Sequence, residues 1–109
     1  MTINLHVVCR HMNKLNWTKL DEEIDGKPVF QTGMWVITAA RAKDIAAQGR
    51  VYLHDKQDEL AWHGGLVVGW GPDPTDPKRR FFKYVVDQAF RVTCPGPWSQ
   101  ELCFAPRGG

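Results

Sequence analysis

Four tryptophans, Trp35, Trp62, Trp70 and Trp98, fall at or beside the ends of segments that read as strands. Rings placed that way can wall a pocket for a planar ligand, and stacking one base on an aromatic ring is worth roughly 1–3 kcal/mol. Trp35 and Trp70 read first as core. Trp62 follows the charged residues 55–59 and precedes His63-Gly64-Gly65, so a pocket-lining position suits it equally well. Basic residues form two groups. Lys78, Arg79 and Arg80, with Lys83 and Arg91, flank a proline-rich loop, and Arg41, Lys43, Arg50 and Lys56 form the second. Either group suits phosphate contacts, although a charge run is more often a solvated face, and Asp73, Asp76 and Asp87 dilute the first.

Other chemistries lack their spacing. His54, Asp55, Asp58, Glu59 and His63 are metal-ligand types, but no HExxH or CxxC is present, so no metal or cofactor is expected. Cys94 or Cys103 with a histidine has the makings of a nucleophile and base, yet no local signature accompanies them, and a structural cysteine is the commoner outcome. The chain has no phosphate loop, no GxGxxG and no GxSxG. An enzyme is disfavoured, and no catalytic residue is assigned.

The elements that must position these residues follow from periodicity. Residues 3–10 alternate, with Ile3, Leu5, Val7 and Cys9 on one face, which predicts a strand with one buried face. Residues 11–16 read as a turn. Trp17, Leu20 and Ile24 recur at i, i+3 and i+7, which predicts one or two helical turns ended by Asp25-Gly26. Val29-Phe30 reads as a short extended piece and residues 34–37 as a strand. Thr38 is the expected N-cap of a helix over 39–48, with Gly49 just past its end. Residues 50–54 form the next strand, with Val51 and Leu53 inward and Tyr52 and His54 on the other face. Gly64-Gly65 marks a tight turn or a close backbone approach before a strand at 66–70, in which Gly69 predicts a bulge. Residues 71–77 are breaker-rich and predict an exposed loop. Strands follow over 81–87, 90–94 and 98–104.

Composition sets outer bounds. A chain of 109 residues with 43% hydrophobic and 24% charged residues is ordinary for one globular domain spanning 1–109. The net charge of +2 is too small for bulk attraction to nucleic acid, so any such contact must be a local patch. Three cysteines at irregular spacing argue against a secreted disulfide scaffold. No signal-peptide pattern and no membrane-length apolar run is present, so a reduced, cytoplasmic protein without a membrane partner is expected.

Trp35 in an early strand, the helix after it, Gly49-Arg50-Val51-Tyr52-Leu53 entering a strand and the returning Gly65-Leu66-Val67-Val68-Gly69-Trp70 resemble the PUA-like superfamily, specifically its EVE, YTH and ASCH branches. The resemblance implies an α+β fold: a small curved, partly open β-barrel of five to seven strands with one principal helix. It also implies binding of RNA or DNA through a pocket that takes a flipped, modified base. On that reading Trp35 and Trp62 are the aromatic walls, His54 a polar reader, and Arg41, Lys56, Arg79 and Arg80 the phosphate contacts. The rival expectation is a protein-binding inhibitor or accessory factor of phage or mobile-element origin, acting on a host defence complex through tryptophan and arginine anchors.

Overall fold

Strands place successive side chains on opposite faces, so a strand inside a covered sheet can bury both. The computed structural model describes residues 3–8, 17–86, 90–94, 98 and 102–106. These form β1 (Ile3–Val8), β2 (Trp17–Ile24), β3 (Lys27–Thr32), β4 (Trp35–Val36), α1 (Ala39–Ala46), β5 (Arg50–His54), β6 (His63–Pro72), β7 (Arg79–Val85) and β8 (Leu102–Pro106). One sheet runs in the order β2-β3-β7-β6-β5-β1-β8, with β4 paired to β7 off that path. The sheet is not closed, and β2 and β8 are its edges. The α+β class agrees with the sequence, with eight strands where five to seven are expected.

The core grows from the pairing of β1 with β5, which is parallel where the other pairs are antiparallel. Leu5 and Val7 face Val51 and Leu53 in register, and all four are fully buried. Val67, Phe82, Tyr84, Trp35 and Ile37 complete the cluster, with Ala42 and Ile45 of α1 set against it. Full burial of an apolar side chain of this size is worth roughly 1.5–3 kcal/mol. The small residues on the inner stripe of α1 let the helix lie close to the sheet.

Thr38 caps α1 as expected: its Oγ1 accepts the Arg41 N–H at 3.2 Å. The helix stops earlier than the sequence suggests, because Gln48 adopts φ 71° and takes the left-handed position assigned to Gly49. Gly49 serves closeness instead, since a Cβ there would strike the carbonyl oxygens of Ile3 and Ile45. Gly64 and Gly65 mark a close backbone approach inside β6. A Cβ on Gly65 would strike the Val85 carbonyl of the neighbouring strand. The bulge expected at Gly69 is present as a register shift between Val67 and Gly69.

Several expectations are corrected. Residues 17–24 form a strand and not helical turns, paired with β3 on both sides of an irregularity between Lys19 and Glu23. As an edge strand β2 exposes most of its residues, so no alternation of buried and exposed positions marks it in the sequence. Residues 90–94 have no regular structure. β1 buries both faces, including Asn4 and His6. The cysteines are not all reduced: Cys94 and Cys103 form a disulfide across nine positions. The turn at 11–16 and Cys9 lie outside the described residues. Among the described residues no helix is long and apolar enough to cross a membrane.

Candidate functional site

Aromatic rings collect where β2, β3, β6 and β7 converge. Trp17 stacks on Phe30 with centroids 5.4 Å apart and meets Trp62 edge-on at 5.5 Å. His63 stands among them, 4.7 Å from Phe30, 5.4 Å from Trp17, 5.5 Å from Tyr84 and 5.3 Å from Phe90. Two short bonds fix it. Trp17 Nε1 donates to Tyr84 Oη at 2.7 Å, and the Tyr84 hydroxyl shares a second hydrogen bond of 2.7 Å with His63 Nδ1. Burial holds the His63 pKa below its ordinary value, so it is a neutral ring at neutral pH. Trp62, half-buried, is the member of this cluster that also lines a surface groove of about 580 Å³, with Asp55, Glu59, Leu60 and Arg91.

A second cluster lies on the opposite face of β5. His54 donates from Nδ1 to the Glu59 carbonyl at 2.8 Å, which leaves its Nε2 to accept from His6 Nδ1 at 2.8 Å. Both rings are fully buried. His6 stacks on Tyr52 at 4.7 Å, and Trp98 meets His54 edge-on at 5.4 Å. His6 Nε2 is a buried nitrogen without a hydrogen-bond partner. Desolvation, then the neighbouring His54, lowers the His6 pKa to about 3. Desolvation also lowers the His54 pKa, against an opposing pull from the Glu59 carbonyl.

The basic residues gather elsewhere, at the start of β7. Arg79 donates from Nε to Asp76 Oδ2 at 3.2 Å and from Nη1 to the Met34 carbonyl at 3.1 Å. Arg80 is half-buried, with Nη1 bonded to the carbonyls of Ile37 at 2.6 Å and Pro77 at 3.2 Å. The register pairs Arg80 directly with Trp35. Trp35 Nε1 and Arg80 Nε are both buried donors without a partner. Leaving such a group unpaired costs about 1–3 kcal/mol. Of the exposed acids on β2 and its turn, Glu22 pairs with Lys83 of β7 at 3.3 Å, and Asp25 lies in the turn beyond the Val29–Val85 pair.

The expected site residues therefore separate. Trp35, only 6% exposed, is a core residue and no stacking wall. His54 has both ring nitrogens engaged and is no open reader; it shares none of the ring contacts of Trp62. Arg41 is exposed on α1 with its guanidinium carbon 4.5 Å from the Phe104 ring centroid, and Lys56 is exposed in the loop after β5. Arg79 and Arg80 sit with Trp35 at one corner. Trp17, Tyr84 and Phe90 join the cluster without having been singled out by the sequence, and His63, which the sequence offers as a metal-ligand type, joins it through its ring contacts. Tyr84 has no local signal at all, whereas His63 has one in its place between Trp62 and two glycines.

Compared with known proteins, the chain matches no family model, and no curated protein or solved structure matches it.

Proposed function

We propose that this chain is a nucleic-acid-binding module that holds phosphates at the β4–β7 corner and offers Trp62 to a base. The observation that supports it is a cluster of cations at the start of β7. Lys78, Arg79 and Arg80 stand together there, with Arg79 paired to Asp76 at 3.2 Å and Glu22 paired to Lys83 further along the strand at 3.3 Å. Lys78 and Arg80 carry the local positive charge that the net +2 of the chain would not supply in bulk. Trp62 remains half-exposed beside Arg91, so a stacked base would meet a π face and a cation. The PUA-like resemblance, with its modified-base pocket, favours the same reading.

Binding of labelled single- and double-stranded DNA and RNA, with and without methylated bases, tests this across a salt series. The logarithm of the affinity should fall linearly with log salt, and replacing Lys78 or Arg79 by Ala should reduce that slope by about one each. Trp62→Ala should remove any preference for a modified base. No binding at low salt would refute the reading.

One observation favours a protein partner instead. Leu60 and Val92 are 47% and 37% exposed and are brought together by the Ala61 N–H bond to the Val92 carbonyl, beside Trp62. A copurifying protein with no nucleic-acid affinity would support an interface there.

A further inference from the structure

Residues 90–94 have no regular structure, yet they join two distant features of the sheet. At one end Phe90 meets the His63 ring at 5.3 Å, and Arg91 lines the groove of about 580 Å³ beside Trp62. There the Val92 carbonyl takes the N–H of the fully buried Ala61 at 2.8 Å. At the other end Cys94 is bonded to Cys103 of β8. Trp98, inside the loop which that bond closes, lies edge-on to His54 at 5.4 Å and to His6 at 6.4 Å. His6 and Cys103 are directly opposed in the β1–β8 ladder, and His6 is paired with Tyr52 of β5 on its other side. The crosslink and the two buried histidines therefore share one face of the sheet.

The two sides of the crosslink are held unequally. Cys103 is 1% exposed, and β8 makes five register pairs with β1. Cys94 is half-buried and belongs to no ladder. Among the described residues, the Ala61 bond and the Phe90 ring contact are the other hydrogen-bonded and ring ties of residues 90–94 to the sheet. An incoming thiolate meets Cys94 first, and breaking the bond frees the side with least else to hold it. Closure also carries a standing cost. His6 Nε2 is buried without a hydrogen-bond partner among the described residues, and water that reaches it when Trp98 withdraws removes that cost.

We propose that the Cys94–Cys103 bond is a redox latch on the Trp62 groove, opened by a dithiol and reclosed by the corresponding disulfide. A thiolate of the dithiol attacks Cys94 Sγ, and Cys103 leaves as a thiolate that takes a proton. The second thiol of the reagent, deprotonated, attacks its own sulfur in the mixed disulfide, and Cys94 leaves and is protonated in turn. Two electrons and two protons pass to the protein, and the dithiol becomes a disulfide. Residues 90–94 then leave Ala61, and Phe90 and Arg91 no longer wall the groove, while β8 keeps its ladder with β1. The latch stands on these contacts alone; its effect on a bound base rests on the nucleic-acid reading.

The test compares oxidised, dithiothreitol-reduced and reoxidised protein by amide hydrogen exchange and by the indole N–H resonances of the ¹⁵N-labelled chain. Reduction should speed exchange of the Ala61 amide by about tenfold or more and leave the β1–β8 amides protected. The Trp62 and Trp98 resonances should move, and reoxidation should restore them. Cys94→Ala should show the open state without reductant. The latch is overturned if the folded protein resists the dithiol, if reduction leaves Ala61 protected, or if it unfolds the whole sheet. Oligonucleotide binding across a salt series then separates the latch from the nucleic-acid reading. Loss of Arg91 from the groove should lower the salt slope by about one in the reduced form. If Ala61 is released and neither form binds an oligonucleotide, the latch stands and the nucleic-acid reading falls. If oligonucleotides bind and Ala61 stays protected on reduction, the latch falls and that reading stands.

Discussion

His6 and His54 are 48 positions apart, and each alone looks like an ordinary strand residue. Alternation along 50–54 correctly puts His54 opposite Val51 and Leu53, but only the parallel register, with His6 beside Tyr52 and Val8 beside His54, shows that its face is also buried. That register is a tertiary fact with no local signature. Its consequence is measurable. His6 titrates near 3 in the folded chain against 6.5 ordinarily, and His54 and His63 move in the same direction. The unfolded chain therefore binds protons over an interval where the folded chain does not. Stability is full above about pH 6.5 and falls as the pH drops toward 3, by up to about 5 kcal/mol for His6 alone. Urea midpoints at neutral and acid pH measure this, and a flat profile over that interval would contradict the buried neutral pair. Tyr84 makes a second case. Tyr84→Phe removes the oxygen that links Trp17 to His63, and it should cost about 1–3 kcal/mol while leaving the core packing in place. Thermal unfolding followed by tryptophan fluorescence would show it.

Elements built from local chemistry were legible; those shaped by a partner strand were not. The Thr38 cap and the alanine-rich helix are written within a few residues of each other; the cap occurs as read, and the helix forms but ends at Ala46, short of the expected Gln48. β2 is an edge strand that exposes most of its residues, so no buried alternation betrays it and Trp17, Leu20 and Ile24 fall at helical spacing without a helix. Gly64-Gly65 reads in the sequence as a tight turn or a close approach ahead of a strand at 66; the structure places both inside β6, and the neighbour, Val85, comes from the register alone. Thr38→Ala should lower stability by about 1 kcal/mol through loss of the cap. Gly65→Ala should cost about 3 kcal/mol or more, since the clash is with backbone that cannot rotate away. Chemical denaturation of the two variants side by side distinguishes these effects, and equal losses would contradict the packing argument.

For the whole molecule, the disulfide ties the segment before β8 to β8 itself. Closing a loop of nine positions removes freedom mainly from the unfolded chain, so reduction, or Cys94→Ser with Cys103→Ser, should cost about 2–3 kcal/mol. Melting with and without a thiol reductant gives the answer directly. The position of β8 has a wider meaning. At the opposite edge, β2 exposes Lys19, Asp21, Glu22 and Glu23, charges that discourage a foreign strand from docking. β1 has no such protection: apart from the half-buried Val8 it is buried along its length, and among the described residues the five of β8 cover its outer ladder. Detaching β8 would bare an apolar strand with its hydrogen-bonding groups unpaired, and another copy of the same strand could pair there. The crosslink between Cys94 and Cys103 thus acts as a safeguard against self-association as well as a source of stability.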